Sequence, residues 1–172
     1  MNDSISYRIA SKADLPQILR LYTQPDFDDG RVLSANEAES ILDRIGQYPN
    51  YKLFVAICEG NIVGTFALLI MDNLGHMGAR SAIIEDMAVD PTLQGRGIGK
   101  AMMKYALGLA NKEGCYKAML SSNLKRERAH AFYESLKFER HGYSFLLNAQ
   151  PAHAADAERY APDVQRSLRD KT

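Results

Sequence analysis

The residues best placed to do chemistry sit in one glycine-rich stretch, Gln94-Gly95-Arg96-Gly97-Ile98-Gly99-Lys100. It follows an apolar run ending at Val89-Asp90-Pro91 and opens a segment whose apolar residues recur at helical spacing. The first backbone N–H groups of a helix have no intrahelical partner and lie at the positive end of its dipole, so they bind anions. Glycine allows close approach to a phosphate and tolerates positive φ. Arg96 and Lys100 add positive charge. A tight strand-to-helix connection would use similar glycines, so the flanks must decide. A Walker loop ends in Gly-Lys-Ser/Thr, whereas Gly99-Lys100 is followed by Ala101. A dinucleotide fingerprint needs Gly-x-Gly-x-x-Gly near a first strand, whereas these glycines alternate in mid-chain.

Gln94-x-x-Gly97-x-Gly99, preceded by Glu85-Asp86-Met87-Ala88-Val89, resembles the acetyl-CoA signature of the GNAT superfamily. The resemblance implies that Gln94, Gly95, Arg96, Gly97, Ile98, Gly99 and Lys100 hold the coenzyme pyrophosphate. It also implies that the strand through Met87, Ala88 and Val89 pairs with the pantetheine arm, with a backbone N–H near Met87 facing the thioester oxygen. A second block, Asn123-Leu124-Lys125-Arg126 through Ala129-His130-Ala131-Phe132-Tyr133, fits the same superfamily. There Asn123 is expected to contact the cofactor, and the Tyr133 hydroxyl to lie beside the thioester sulfur. Acyl transfer from a thioester expels a thiolate, whose thiol has a pKa of about 8.5. A phenol of pKa about 10 can protonate it and stay neutral at pH 7. Phe132 reads as a core aromatic on the same helix.

The attacking amine must also lose a proton, and a carboxylate can take it. Glu85 is the first candidate, because it is a charged residue in an otherwise apolar strand and burial of a carboxylate needs a partner or a task. Asp86 is adjacent, and strand alternation turns it to the opposite face, so only one of the two is expected in the acceptor cleft. His76, His130 and His141 are weaker candidates for a base. Cys58 and Cys115 lie in strand-like apolar runs and read as reduced core residues. No His/Cys cluster has metal-ligand spacing, so no metal is expected; acetyl-CoA is the cosubstrate that the resemblance implies.

Two narrower likenesses bear on the acceptor. Ile84 to Val89 with Cys115-Tyr116-Lys117 looks like the glucosamine-phosphate acetyltransferases, and Asn123 to Tyr133 looks like the aminoalkylphosphonate acetyltransferases. Together they imply a small primary amine and leave open whether it carries phosphate or phosphonate; the main reading is direct transfer of acetyl to that amine in a ternary complex. A peptide acceptor and a non-catalytic coenzyme-binding module are the rival readings; the presence of both Glu85 and Tyr133 speaks against the second.

The elements needed to position these residues are legible around them. Ser6 to Ala10 reads as a strand and Leu15 to Tyr22 as a helix, with Ser11 or Asp14 as cap and Pro16 in the first turn. Ser34-Ala35-Asn36-Glu37 is a capping box for a second helix that ends at Pro49. Tyr51 to Cys58 and Ile62 to Ile70 form a hairpin around Glu59-Gly60-Asn61, and Ser81 to Val89 is a third apolar strand. A helix over Gly97 to Asn111, a strand over Cys115 to Ser121 and a helix over Arg126 to Leu136 come next. Phe138 to Leu147 is strand material with a break at Gly142, completing the order β-α-α-β-β-β-α-β-α-β. This is an α/β (α+β) fold: a mixed, mostly antiparallel sheet flanked by helices, filling one domain over residues 1–149. Residues 150–172 form a polar tail, expected as a surface helix around Ala154 to Leu168 or as disordered chain. The loop from Thr23 to Leu33 carries Asp26, Asp28 and Asp29, and the resemblance puts this loop beside the acceptor site.

Composition sets the outer bounds. The chain has 172 residues, 46% hydrophobic and 24% charged, which suits one soluble domain with a core. Lys+Arg and Asp+Glu both number 21, so net charge gives no reason to expect nucleic acid or an anionic membrane as partner. Met1 to Ala10 lacks the apolar core of a signal peptide, and the longest apolar stretch is too short to span a bilayer, so the cytoplasm is expected. Oligomeric state is left open, with a homodimer among the alternatives.

Overall fold

The computed structural model describes residues 5–147 apart from 26, 28 and 29. The acidic cluster Asp26, Asp28 and Asp29 and the tail beyond residue 147 therefore lie outside the described residues. Strand β1 is Ser6–Ile9, followed by helices α1, Leu15–Tyr22, and α2, Ala35–Gln47. Then come β2, Tyr51–Cys58, β3, Asn61–Met71, and β4, Arg80–Val89. Helix α3 is Ile98–Lys112, β5 is Cys115–Met119 and α4 is Glu127–Ser135. The five strands form one sheet in sequence order, antiparallel from β1 to β4 and parallel between β4 and β5.

Local sequence accounts for most boundaries. The Ser34 backbone N–H donates to Glu37 at 2.9 Å and the Ser34 hydroxyl accepts from the Glu37 N–H at 3.4 Å, completing the expected capping box of α2. At the start of α1, buried Asp14 accepts the Ser11 N–H at 2.7 Å and both guanidinium arms of Arg8 at 2.6 and 2.8 Å. That fork ties β1 to the first helix and holds the Asp14 carboxyl far below the usual carboxylate range, with the Arg8 hydrogen bonds as the largest cause.

The sheet buries both faces. On one, Leu53 and Val55 of β2 and Ile62 and Ala67 of β3 pack with Ile18 and Leu21 of α1. Phe54, one residue out of phase, faces the other way: it stacks on Phe66 and meets Tyr105 of α3 edge-on. Met102, Met103, Ala106 and Ala110 are the buried stripe of α3. Gly64 is required beneath it, because a Cβ there would stand 2.5 Å from the Met102 sulfur and 2.9 Å from the Ala88 carbonyl.

The chain divides into two units, 1–136 and 137–172. The strand expected from Phe138 to Leu147 does not form: none of those residues is in a strand. Gly142 stands at φ 86 and interrupts the extended run.

Strand β4 is irregular on both of its edges. Its ladder with β5 ends at Ile83 opposite Met119. Toward β3, Thr65 pairs with Ala88 and Ala67 with Glu85, so Asp86 and Met87 together oppose Phe66. This is a β-bulge, and Asp86 takes the left-handed conformation within it, at φ 52. Aspartate tolerates that region better than most residues.

Candidate active site

Beyond the end of the β4–β5 ladder the structure has a cavity of about 220 Å³. Ile84, Glu85, Asp86 and Met87 line it from β4, Leu120 and Ser121 from the segment after β5, and Arg126 and Tyr133 from the start and body of α4. Phe27, from the loop after α1, contributes a further wall, and the Arg126 guanidinium carbon lies 5.9 Å from its ring centroid.

Glu85 and Asp86 both line this cavity, so the expectation that alternation would send one of them away is overturned. The bulge supplies the reason: an extra residue in the left-handed region breaks the two-residue period of the strand. Nor is Glu85 a buried charge, for its side chain is exposed along the open side of the cavity. The cavity walls still remove enough water to raise its carboxyl above the ordinary range, and the neighbouring Asp86 raises it further.

Tyr133 is half-buried. Its hydroxyl is raised above the ordinary phenol value chiefly by burial, with Arg126 pulling it down and Glu85 pushing it up. It is therefore a neutral O–H donor at pH 7. Two further tyrosines, absent from the sequence expectation, feel the acid pair. Tyr22 has its hydroxyl 3.5 Å from the Asp86 carbonyl and is raised strongly by burial and then by Asp86. Tyr51 is raised by burial, then by Asp86 and Glu85. Nothing in the local sequence around Tyr22 or Tyr51 points to the acid pair; the packing of α1 and β2 brings them near it, whereas Phe27 belongs to the loop after α1 that the resemblance sets beside the acceptor site.

At the C-terminal end of β4 lies the glycine loop. Asp90 closes it, accepting from the Thr92 N–H at 2.9 Å and hydroxyl at 2.7 Å. Gly95 and Gly97 stand at φ 79 and φ 84, and a Cβ on either would meet nothing within 4 Å. Their need for glycine thus comes from backbone conformation, and the space beside them is open to a ligand. Gly97 is the N-cap of α3 and makes no side-chain cap, and Arg96 and Lys100 are exposed beside it. Gly99 has a different reason: a Cβ there would lie 3.4 Å from the Phe132 ring and 3.6 Å from Val89. Phe132 accordingly packs on the start of α3, in keeping with its core reading, while its neighbour Tyr133 lines the cavity.

The side chain of Gln94 is already engaged. It donates to Gln24 at 3.1 Å, and Gln24 in turn donates to the Leu21 and Val89 carbonyls at 2.7 and 3.1 Å. That amide chain fixes the loop to the end of α1. The Asn123 side chain accepts the Lys125 N–H at 2.9 Å and so makes its own turn before α4. His130 holds the same turn through a 2.9 Å contact between Nε2 and the Asn123 carbonyl. His76 stands against Tyr116 in an exposed loop. Among the described residues no three His, Cys, Asp or Glu side chains are grouped as metal ligands, and no helix is long and apolar enough to cross a membrane.

The chain is similar to known acetyltransferases. A glucosamine 6-phosphate N-acetyltransferase from Trypanosoma brucei brucei is 32% identical over 147 residues, covering 84% of this chain and 95% of that protein. An aminoalkylphosphonate N-acetyltransferase from Salmonella typhimurium is 32% identical over 85 residues, 49% of this chain and 54% of its own length. The crystal structure of a Trypanosoma brucei acetyltransferase superposes with a TM-score of 0.72 at 29% identity, covering 85% of this chain and 100% of that one. The family model described as acetyltransferase (GNAT) matches residues 15–138, from the first helix through both motif blocks, and the chain belongs to that family.

Proposed function

We propose that this protein transfers acetyl from acetyl-CoA directly to the primary amine of a small molecule, both substrates being bound at once. The observation that carries this reading is the meeting of Glu85 and Tyr133, from different elements, in one cavity at the divergence of β4 and β5. Acetyl-CoA supplies an acetyl group activated as a thioester. The glycine loop fits its pyrophosphate, since Gly95 and Gly97 leave open space beside a helix start. In this reading Gln94, Arg96, Ile98, Gly99 and Lys100 complete the loop, with Asn123, on the turn before α4, as a further coenzyme contact. Gln94 serves through its backbone, because its amide is held by Gln24. Met87, Ala88 and Val89 lie beyond the β5 ladder, where their strand can run beside an extended ligand.

The proton path uses the two side chains at the cavity. Glu85 accepts a proton from the acceptor ammonium as the nitrogen lone pair bonds to the carbonyl carbon. The C–S bond breaks, its electron pair leaves with sulfur, Tyr133 gives that sulfur a proton, and the second N–H proton, released as the amide forms, returns the Tyr133 phenolate to neutral by way of solvent. A raised carboxyl is better matched to an amine than an ordinary one, and a raised phenol is a donor that does not ionise at neutral pH. Similarity over 84% of this chain to a glucosamine 6-phosphate N-acetyltransferase favours a small acceptor over a peptide. A thiol-release assay across amino sugars, aminophosphonates, polyamines, amino acids and short peptides tests the proposal. Release that depends on a small amine is the expected result; release only with peptides, or with none of the panel, would overturn it.

A further inference from the structure

The cavity is not lined by one sign of charge. Glu85 and Asp86 bring two carboxylates from the β4 bulge, and Arg126, immediately before α4, brings a guanidinium to the same space. An acceptor that was only an ammonium would gain from the carboxylates and be repelled by the guanidinium. An acceptor with an amine and an oxyanion on the same small frame would gain from both.

The position of Arg126 supports a recognition role. Its backbone N–H donates to the Asn123 carbonyl at 2.9 Å, which fixes the turn that presents it. Its guanidinium carbon stands 5.9 Å from the Phe27 ring centroid, and Phe27 lines the same cavity. A guanidinium over an aromatic face keeps its donor fork oriented. With five N–H donors it can serve a protein partner and a ligand oxyanion together. Its charge reaches the acid candidate, for it is the largest influence opposing burial at the Tyr133 hydroxyl.

We propose that Arg126 holds an anionic group of the acceptor, so that the preferred acceptor is an amine bearing a phosphate, phosphonate or carboxylate on the same small molecule. This rests on the reading of the cavity as the acceptor site. Arg126 is then a specificity residue: it sets which amine is held, while Glu85 and Tyr133 move the protons. The three oxyanions share one chemistry, and matched pairs of probes separate them.

The experiment uses the full chain and its Arg126→Gln and Arg126→Lys variants. Equilibrium binding is measured by calorimetry for glucosamine 6-phosphate against glucosamine, 2-aminoethylphosphonate against ethylamine, and β-alanine against its amide. Acetyl transfer is measured for the same pairs. The parent should bind the charged member of at least one pair more tightly, by about 10- to 100-fold, the range of a charge-assisted hydrogen bond. Arg126→Gln should remove most of that preference and act on KM more than on kcat, and Arg126→Lys should restore part of it. Affinity for acetyl-CoA should stay within about twofold of the parent, as expected if no coenzyme hydrogen bond is lost. A parent indifferent to the anionic group in all three pairs would overturn the proposal, and this result needs no variant to fold. So would a preference that survives in Arg126→Gln, or a loss confined to acetyl-CoA binding. Preserved, Arg126-dependent binding without acetyl transfer to any amine would instead defeat the acetyl-transfer reading and leave the anion site standing.

Discussion

The glycine loop and the acceptor cavity are reached from the same strand, β4, yet they are made of different material. The loop is built of backbone: positive-φ glycines, a helix start and exposed cations, with its one uncharged polar side chain, Gln94, committed to Gln24. The cavity is built of side chains that arrive from β4, the loop after α1, the end of β5 and α4. A site made of backbone is sensitive to a new Cβ and insensitive to the loss of most side chains. A site made of side chains is the reverse. The two should therefore fail in different kinetic parameters.

The largest expected effect tests the side-chain half. Tyr133→Phe should lower kcat by about 10²- to 10⁴-fold, the range of general acid catalysis, while acetyl-CoA affinity changes little. Steady-state kinetics and calorimetry on one preparation check both parts. Full turnover across pH would return Tyr133 to a packing role.

Next comes the backbone half. Gly97→Asp places a carboxylate in the open space beside the loop and forces a residue with a side chain to φ 84. Losing two charge-assisted hydrogen bonds to pyrophosphate corresponds to a weakening of acetyl-CoA binding by about 100-fold or more. The far-ultraviolet circular dichroism should be preserved, because no neighbour lies within 4 Å of the new Cβ. Unchanged affinity would sink the loop assignment.

The acid pair gives a smaller, pH-dependent effect. Glu85 acts as base only when deprotonated, and its carboxyl is raised by burial and by Asp86. The rate of the parent should then fall as pH drops through that raised value. Glu85→Gln should cost most at neutral pH and recover partly at high pH, where more of the amine is already free. Asp86→Asn removes the like charge, so the acid limb should move to lower pH; asparagine also keeps the left-handed backbone at φ 52. An acid limb that does not move would show that the two carboxylates are not coupled.

The smallest effect lies away from both sites and serves as a control. The Asp14 carboxyl is held below its unfolded value by Arg8 and Ser11. Its contribution to stability is therefore present above the unfolded pKa, about 3.9, and is lost as pH falls toward the folded value. Asp14→Asn should lower unfolding free energy by about 2 kcal/mol at pH 7 and by progressively less below about pH 4, with kcat untouched. Denaturant titrations at both pH values check it; an equal loss at both would remove the charge from the explanation.

The contrast in material also explains what is legible in the sequence. Glycines at fixed spacing, a capping box at Ser34 and the apolar stripe of α3 are local features, and each element they mark is present. The bulge at Asp86 is not local. It exists because β3 and β4 pair out of step around Phe66, and no residue of β4 announces it, so strand alternation wrongly separates Glu85 from Asp86. Arg126 lies inside a motif block, but its meaning depends on Phe27 and the acid pair, which are far away in the chain. Gln94 is legible as part of the loop and illegible as a partner of Gln24. The strand expected after α4 shows a further limit: apolar residues over 138–147 favour extended chain, but Gly142 takes the left-handed region at φ 86 and interrupts the run.

The central claim is direct transfer between two bound substrates in a cavity whose acid and base are already assembled. Initial velocities measured over a matrix of acetyl-CoA and amine concentrations test it most directly. Direct transfer predicts intersecting double-reciprocal lines and no acetylated protein by mass spectrometry when amine is withheld. Parallel lines, with an acetyl group trapped on the chain at Cys58 or Cys115, would contradict it.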